Sequence, residues 1–509
     1  MTHPVFLDDA IVKQARRFPD KIALVVDGRP TTYLALEREI ERAARALLAL
    51  GVCAGDRVGL FASFSPAIVA VYLGCLRIGA VTAATHHTLS DDKLIRQLQH
   101  AGAKVLVTDR TVGLGTICDA AKLDWAIVLG AADERDVRIV DFGEIDTLRP
   151  DAPERSFTTE HPVSIFYTTG STYAPKGVLV NHRIMTAACE SITSYLDIGA
   201  DDAVLSYSTL ASDYGVYNVL MPLYCGATAV VERVAPETPE EVLKVIERER
   251  VTALHVFPPV VFVLSRADPT WQARIPSLRY ISSSGQALYP KHIERIRSAL
   301  PDVLFYSNYG MTECKRISFL PPQELLRKPT SVGKPLPGVT ALVVGEDGEP
   351  VTDPRQVGEL WVSAPFTMLE YWGMPDATAA AFGVVANGTR MLKTGDLFRL
   401  DVEGDLHYVG RKDDIFVRGA WNVNPRDIER CLISHPAVAE AIVVPVPDEC
   451  MGHLPKAFVV LEPGRAVSDG ELAEYCGRRI DWHMVPAAFE IVGRLPRSQS
   501  GKSTGKGLV

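Results

Sequence analysis

A stretch rich in hydroxyl groups and glycine follows the apolar run 163–166. Residues 167–178 have the sequence YTTGSTYAPKGV. Its candidate ligand-binding residues are Thr168, Thr169, Gly170, Ser171, Thr172, Lys176 and Gly177. Hydroxyl donors, a backbone that a ligand can approach closely and one positive charge suit a polyphosphate. The stretch is not a Walker A loop, because proline precedes the lysine and glycine-valine follows it. An ordinary Ser/Thr/Gly surface loop is the alternative that these residues alone leave open.

Four further polar segments follow along the chain. They are SNYGMTE at 307–313, KTGDL at 393–397, GRKDDIFVRG at 410–419 and PRSQSGK at 496–502. The carboxylate of Glu313 near a phosphate-binding loop suggests a Mg²⁺-nucleotide site. Asp396 is suited to accept hydrogen bonds from two ribose hydroxyls. Each segment is a weak signal by itself, so their order and spacing decide the interpretation.

Composition indicates an ordinary globular chain with more than one hydrophobic core. The 509 residues are 47% hydrophobic and 23% charged. A net charge of -9 gives no reason to expect nucleic acid or an acidic membrane surface as a partner. The nine cysteines form no CxxC pair, which predicts reduced thiols and a cytoplasmic protein. The longest apolar stretch, 66–84, contains Arg77 and is better explained as a buried helix and turn than as a membrane span.

Strand and helix patterns alternate through the first part of the chain and predict an α/β fold of mostly parallel, helix-covered sheets. The alternating pairs are 57–62 with 68–77, 204–208 with 216–224, 228–231 with 240–248, 253–257 with 260–266 and 280–283 with 291–300. After Gly333, two predicted hairpins indicate a small β-rich subdomain. A helix beginning at Pro425, two strands and another helix then predict a small α+β domain. We therefore expect a large domain, 1–410, and a small mobile domain, 411–509.

In this order, the five segments resemble those of the adenylate-forming superfamily. This superfamily comprises acyl- and aryl-CoA synthetases, luciferases and the adenylation domains of nonribosomal peptide synthetases. The resemblance covers nearly the whole chain. It implies an AMP-forming acid–thiol ligase that uses ATP with Mg²⁺ and turns its small domain between two half-reactions.

The resemblance also implies roles around the phosphates. Residues 168–177 are expected to hold the β- and γ-phosphates, Thr312 to meet the α-phosphate and Glu313 to bind Mg²⁺. Asp413 matches the hinge of the small domain. Lys502 matches the lysine that bridges the substrate carboxylate and the α-phosphate, where a cation neutralises two anions that must react with each other. A solvated tail lysine is the alternative for Lys502.

On the nucleoside side, the resemblance implies that Tyr309 packs on adenine and that Asp396 and Arg411 hold the ribose. The other implied nucleotide-side positions are Ser284, Gly285, Gln286, Ala287, Asn308 and Gly310. Two departures stand out. Tyr173 replaces a usual glycine in the phosphate loop, and Ser-Thr-Gly follows Lys502 in place of an apolar-basic run.

The segment 210–220, LASDYGVYNVL, bears on the choice of substrate. Many acyl-CoA synthetases carry an aromatic-His pair here, whereas amino-acid adenylation domains place an aspartate that holds the substrate ammonium. Asp213 therefore favours an amino-acid substrate, since a carboxylate in an apolar pocket needs a cation to offset its desolvation. The alternative is that Asp213 is only the N-cap of the following helix.

Two adjacent cations, Lys315 and Arg316, follow Glu313 where such domains line the substrate pocket. They are candidates to clamp a second carboxylate, with arginine in bidentate fashion. The alternative is that either cation pairs with a surface acid or with the neighbourhood of Glu313. The other matching pocket positions are Tyr214, Tyr217, Ser282, Ser284 and Asn308. With Asp213 and Arg316 facing the pocket, this polar set favours a small hydrophilic, aspartate-like amino acid. The family resemblance implies a β-amino acid of this type, such as 3-methylaspartate.

The resemblance is nearest to the stand-alone β-amino-acid adenylating enzymes that load acyl carrier proteins in macrolactam antibiotic biosynthesis. No serine-bearing helical module follows Val509, so we expect the carrier protein to act in trans. One alternative is an acyl-CoA synthetase of the kind associated with exosortase gene clusters, which transfers a fatty or aryl acyl group to CoA. A more remote alternative is a non-catalytic nucleotide-binding protein.

Overall fold

The protein forms a large α/β body followed by a small α+β unit. The structure is a computed structural model that describes residues 6–134, 136–147, 155–168, 176–268, 270–285, 288–386 and 388–497, with Gly505 and Leu508. Within this part of the chain, no helix is long and apolar enough to cross a membrane.

Fourteen α-helices occur in the described residues. They are α1 (Leu7–Arg17), α2 (Tyr33–Ala49), α3 (Pro66–Ile78), α4 (Asp91–Ala101), α5 (Leu114–Ala121), α6 (His182–Leu196), α7 (Asp213–Cys225), α8 (Pro239–Glu249), α9 (Pro258–Leu264), α10 (Trp271–Arg274), α11 (Pro290–Ala299), α12 (Pro375–Ala381), α13 (Pro425–Ile433) and α14 (Asp469–Gly477). Side chains such as Ser65 and Ser212 accept a hydrogen bond from a first-turn amide and fix where helices begin.

The strands in the described residues follow in the same numbering. They are β1 (Ile22–Val26), β2 (Arg29–Thr32), β3 (Arg57–Phe61), β4 (Val81–Ala84), β5 (Ala103–Thr108), β6 (Trp125–Val128), β7 (Ile139–Asp141), β8 (Pro162–Tyr167), β9 (Gly177–Asn181), β10 (Ala203–Ser206), β11 (Thr228–Val231), β12 (Ala253–Val256), β13 (Tyr280–Ser283), β14 (Leu304–Met311), β15 (Lys315–Leu320), β16 (Lys334–Pro335), β17 (Thr340–Val344), β18 (Gly358–Ser363), β19 (Glu370–Tyr371), β20 (Phe382–Val384), β21 (Arg390–Leu400), β22 (Leu406–Arg411), β23 (Phe416–Arg418), β24 (Trp421–Val423), β25 (Val438–Asp448), β26 (Gly452–Leu461) and β27 (Ala488–Ile491).

Two large, mostly parallel sheets dominate the first part of the fold. One has the strand order β16-β15-β14-β13-β12-β10-β11-β1-β2, and the other has the order β19-β9-β8-β4-β3-β5-β6-β7. In both sheets the central strands pair in parallel, while antiparallel pairs occur towards the edges. The predicted α/β architecture of helix-covered parallel sheets is confirmed.

Helices cover both faces of each large sheet. The main core contains the buried faces of α1, α2, α3, α6 and α7 together with residues from both sheets. A second core packs α8, α9 and α11 on the nine-stranded sheet, and a third packs α4 and α5 on the eight-stranded sheet. This layered packing buries both faces of the parallel strands, which explains their almost continuous apolar sequences.

Two smaller sheets complete the fold. One of them is antiparallel and contains β17, β18, β20, β21 and β22. Its pairs β17–β18 and β21–β22 are the two hairpins predicted from the sequence. The last sheet, β24-β23-β26-β25 with β27 beside β26, packs on α13 and α14 around a core of its own. The division of the chain between residues 410 and 411 stays a prediction.

Two sequence-based expectations for the elements were wrong in detail. The apolar run 303–306 predicts a strand that ends before SNYGMTE, but the observed strand extends over Leu304–Met311, so most of the SNYGMTE segment is itself a strand. It extends because β15 pairs with it antiparallel, a long-range contact that local sequence does not reveal. The turn expected at the end of 66–84 is the buried strand Val81–Ala84, which pairs with β3 and β8.

The start of α7 depends on a close backbone approach at Gly215. A Cβ atom at this position would lie 1.9 Å from the carbonyl oxygen of Thr209. We therefore expect Gly215→Ala to lower the free energy of unfolding by about 2–3 kcal/mol, measured by urea denaturation. In Gly199→Ala the new methyl group meets no atom within 4 Å, so that control should stay within about 0.5 kcal/mol of the parent. Equal stability of the two variants would contradict this packing.

Candidate active site

A cleft of about 3120 Å³ lies where the parallel strands of both large sheets end. Its walls include residues that follow β8, β10, β12 and β13 at their carboxyl ends, among them Thr168 and Ser284. Ligands of open α/β sheets bind at this edge. The small α+β unit, which contains β23 to β27 with α13 and α14, forms another side of the cleft, and Val444 is part of that wall. This unit contacts the large body through an ion pair in which Arg295 Nη1 lies 2.9 Å from Glu462 Oε1.

The predicted nucleoside-binding residues come together on this wall. The Tyr309 hydroxyl donates to Asp396 Oδ2 at 2.6 Å, and Arg411 Nε lies 3.3 Å from Asp396 Oδ1. Burial, followed by the Asp396 charge, raises the pKa of Tyr309 well above its usual value, so the phenol stays protonated and donates. All three side chains line the cleft, as do Gly285 and Gly310.

The two ends of the predicted phosphate loop also line the cleft. Thr168 N donates to Lys176 O at 3.0 Å, and Tyr167 pairs with Gly177 across β8 and β9. Lys176 Nζ lies 4.8 Å from the ring centre of Tyr371. The remaining members predicted for nucleotide binding and catalysis fall outside the described residues: Thr169, Gly170, Ser171, Thr172, Gln286, Ala287 and Lys502.

Segments near Lys502 in sequence nevertheless reach the cleft. Residues 493–497 and Gly505 lie on its wall, and Arg497 Nη2 contacts Glu440 Oε2 at 2.8 Å. Asp413, the predicted hinge residue, lies at the cleft within a short 3₁₀ turn, Lys412–Asp414. The small unit therefore contributes its final segment to the same site as the nucleoside residues.

Glu313 is held by a residue that the sequence analysis missed. The Tyr371 hydroxyl donates to Glu313 Oε1 at 2.7 Å, and the backbone amide of Met368 donates to the Glu313 carbonyl at 2.7 Å. Glu313 is 8% exposed and lines the cleft. A buried, oriented carboxylate provides the oxygen ligand that Mg²⁺ prefers, so the residues present fit this ion. The aromatic-glycine-proline cluster at 371–375 was the available sequence signal.

Asp213 lies in the cleft but does not cap its helix. The cap of α7 is Ser212, whose hydroxyl accepts from Gly215 N at 3.1 Å, so the N-cap explanation of Asp213 was wrong. Asp213 is the first residue of the helix, and its Oδ1 accepts a hydrogen bond from the Thr312 hydroxyl at 3.3 Å. The carboxylate thus lies beside the residue expected to meet the α-phosphate.

Lys315 is buried at the wall of the cleft. Its Nζ donates to Thr312 O at 2.7 Å and lies 4.6 Å from the ring centre of Phe166. Burial lowers the pKa of Lys315, and the charges of Asp213 and Glu313 act in the opposite direction. Within the described part of the chain, no carboxylate oxygen lies within 4.0 Å of this ammonium group.

Arg316 is 4% exposed and lines the cleft. Its guanidinium donates to the hydroxyl of Tyr195, and no ion pair with a carboxylate occurs among the residues that the structure describes. The alternative in which Arg316 pairs with a surface acid therefore does not hold. Tyr195 was missed by the sequence analysis, because it lies on α6, far from every motif.

The remaining predicted pocket residues divide into two groups. Tyr214, Tyr217, Ser284 and Asn308 line the cleft. Ser282 does not, which corrects its predicted role: it is fully buried, and its hydroxyl accepts from Asn308 Nδ2 at 3.0 Å. The contribution of Ser282 to the pocket is therefore indirect, through its hydrogen bond with Asn308.

Comparison with known proteins agrees with this site. Residues 11–372 match the AMP-binding enzyme family, and residues 427–502 match the C-terminal domain of AMP-binding enzymes. The chain belongs to this family. It is an AMP-forming acid–thiol ligase, which adenylates a carboxylate and forms a thioester. Family membership disfavours the alternative of a non-catalytic nucleotide-binding protein.

Three relatives illustrate the range of the family. The chain is 30% identical over 498 residues to a feruloyl-CoA synthase of an Amycolatopsis species, with 96% of each chain covered. It is 29% identical to the fatty acid–[acyl-carrier-protein] ligase ScoC of Streptomyces coeruleorubidus, covering 96% of this chain and 93% of that one. The Bacillus subtilis o-succinylbenzoate-CoA synthetase MenE, solved with its acyl-adenylate, superposes with a TM-score of 0.81 at 28% identity over 98% and 97% of the chains.

Proposed function

We propose that the enzyme activates an aspartate-type β-amino acid, such as 3-methylaspartate, as its acyl-adenylate. It then transfers the acyl group to the phosphopantetheine thiol of an acyl carrier protein acting in trans. The observation that carries this proposal is the buried guanidinium of Arg316 on the cleft wall, which has a phenol hydroxyl but no carboxylate as its partner in the described chain.

A buried guanidinium without an anion is costly, because its desolvation is offset only in part by neutral acceptors. In an enzyme that binds carboxylates, a substrate anion is the group that offsets the rest. Arginine presents a planar fork of donors that matches a carboxylate. Arg316 therefore supports a substrate with a second anionic group besides the reacting carboxylate.

The charges of the pocket also match those of such a substrate. Asp213 is one anion, and Lys315 and Arg316 are two cations on the same cleft wall. An aspartate-type β-amino acid brings one ammonium and two carboxylates. Pairing each substrate charge with an opposite protein charge leaves no buried charge without a partner, which is the condition for binding in a site closed to water.

The nucleotide half of the proposal assigns roles to the chain's own residues. Asp396 and Arg411 hold the ribose, Tyr309 packs on adenine and Thr168 with Lys176 faces the phosphates. Glu313, oriented by Tyr371, would hold Mg²⁺, which when bound with ATP offsets the negative charge of the phosphates. Lys502 neutralises the attacking carboxylate and the α-phosphate together.

Acyl transfer to CoA is the second candidate. The similarity to a feruloyl-CoA synthase favours CoA as the acceptor. The similarity to an acyl-carrier-protein ligase favours a carrier protein. Both acceptors present the same phosphopantetheine thiol, so the pocket residues do not discriminate between them. We place the carrier first because the pocket favours an amino acid and the segment 210–220 resembles that of carrier-loading enzymes.

A panel of acids in pyrophosphate exchange tests the substrate class directly. We expect the highest kcat/KM with 3-methylaspartate or other aspartate-type β-amino acids. Diacids that lack the ammonium group and neutral β-amino acids that lack the second carboxylate should both give lower values, because each leaves one protein charge without a partner. Aryl and fatty acids are the negative controls. Exchange with non-amino acids only would overturn the role of Asp213, and absence of exchange with every acid would contradict adenylation itself.

Replacing Arg316 tests the second carboxylate. We expect Arg316→Ala to raise the KM for the acidic substrate about thirtyfold and to change the KM for its neutral amide analogue less than about threefold, because only the acid loses a charged hydrogen bond. Arg266→Ala is the matched control, since Arg266 also lines the cleft but is exposed and lies over Phe262. Equal KM changes for acid and amide would remove the support for a second carboxylate.

Lys502 should separate the two half-reactions. We expect Lys502→Ala to slow adenylation about a hundredfold and to spare thioester formation from preformed adenylate, because the small domain turns about Asp413 between the steps. Single-turnover assays of each half-reaction measure this. Lys506→Ala is the control for the loss of a nearby positive charge. Equal losses in both half-reactions would contradict a role confined to adenylation.

A further inference from the structure

A half-buried tyrosine outside every sequence motif connects the buried cation Arg316 to the sheet. Tyr195, on α6, accepts a hydrogen bond from the Arg316 guanidinium. Its own hydroxyl donates to Asn308 Oδ1 at 2.8 Å. Arg316 and Asn308 lie on the adjacent strands β15 and β14. One hydroxyl group therefore joins a helix to two neighbouring strands at the pocket.

The ring of Tyr195 is held firmly. It stacks on Phe319 with a centroid distance of 4.2 Å and an angle of 16° between the planes, and it meets the Tyr306 ring edge-on at 5.9 Å. Burial raises the pKa of Tyr195 to about 12, although the Arg316 charge acts in the opposite direction. The phenol is therefore neutral at physiological pH and has a single proton to donate.

The direction of this hydrogen-bond chain is set by Asn308. Its amide nitrogen donates to Ser282 Oγ at 3.0 Å and to Ser283 O at 2.9 Å, so its oxygen is the atom that faces Tyr195. The Tyr195 proton is used on that oxygen, which leaves the phenol oxygen to accept from Arg316. The guanidinium is thus fixed through one of its five donors.

Two further polar groups among the described residues, His255 and Tyr214, feel the charge of Arg316, and neither is an anion. Burial, followed by the Arg316 charge, lowers the pKa of His255 to about 3, so this imidazole is neutral. Its ring nitrogens are 3.1 Å from Asn218 Oδ1 and 3.1 Å from the Tyr280 hydroxyl. The Tyr214 hydroxyl donates to Val256 O at 3.1 Å.

We propose that Tyr195 is the positioning residue that orients Arg316 towards the distal carboxylate of the substrate and so sets the preference for acidic over neutral amino acids. This inference rests on the proposed function of Arg316. An arginine that is already held in its binding rotamer loses less side-chain conformational entropy when the substrate carboxylate binds. Its remaining N–H donors are also directed towards the position of that carboxylate.

The test compares Tyr195→Phe with the parent enzyme in pyrophosphate exchange, using an aspartate-type acid and its side-chain amide. The variant keeps the ring stacked on Phe319 and removes only the hydroxyl. We expect the ratio of kcat/KM for the acid to that for the amide to fall about tenfold, with the amide value nearly unchanged. An equal effect on both substrates would overturn the positioning role.

A double-mutant cycle shows whether Tyr195 acts through Arg316. In an Arg316→Ala background, Tyr195→Phe should have no further effect on the acid-to-amide ratio, because the group that it orients is gone. A tenfold effect that persists in that background would overturn the inference. If Arg316→Ala itself leaves the ratio unchanged, the proposed function fails instead, so the two failures are distinguishable.

Two more variants control for packing. Tyr306→Phe removes the hydroxyl of the neighbouring tyrosine, which makes no hydrogen bond to Arg316 in the described chain, and should leave the ratio unchanged. Phe319→Leu removes the stacking partner of Tyr195 while keeping its hydroxyl, and should lower the ratio in the same direction as Tyr195→Phe. A drop of similar size in Tyr306→Phe would contradict the proposal, because removal of a hydroxyl that does not contact Arg316 would then be enough to lower the ratio.

Discussion

A cation removed from water must be met by an anion or by oriented dipoles. In this enzyme two consecutive cations, Lys315 and Arg316, are buried at the wall of the cleft. Lys315 donates a hydrogen bond to the Thr312 carbonyl and lies near aromatic rings. Arg316 donates a hydrogen bond to the Tyr195 hydroxyl. Neutral partners orient the two cations, and the charges of Asp213 and Glu313 favour the charged form of Lys315. In the proposed function, the substrate anions offset the remaining positive charge of the pocket.

The backbone makes this arrangement possible. Consecutive residues of a regular strand point to opposite faces, yet Lys315 and Arg316 both reach the cleft. The pairing of β14 with β15 is irregular at Tyr309 and Gly310, and Lys315 has a positive φ of 55°. A Cβ atom at Gly310 would lie 1.9 Å from the Lys315 carbonyl oxygen, so only glycine allows the two strands this close. The glycine of the SNYGMTE segment thus has a structural reason besides ligand binding.

The positions of many proposed nucleotide-binding residues at the cleft could be predicted from sequence, because these residues lie on short local motifs at the ends of strands. The two tyrosines that hold Arg316 and Glu313 could not be predicted. Tyr195 and Tyr371 lie 121 and 58 positions from Arg316 and Glu313, and only the tertiary fold brings each pair together. The burial of Ser282 could not be predicted for the same reason, since its partner Asn308 lies on the neighbouring strand.

The role proposed for Arg316 is to bind the distal carboxylate of an amino-acid substrate. A crystal structure of the enzyme with a nonhydrolysable sulfamoyl analogue of an aspartate-type acyl-adenylate is the decisive measurement. We expect the distal carboxylate to lie about 2.7–2.9 Å from the Arg316 guanidinium, with the ammonium beside Asp213 and Tyr195 still in contact with Arg316. A distal carboxylate turned away from Arg316 towards solvent or the small domain would contradict it.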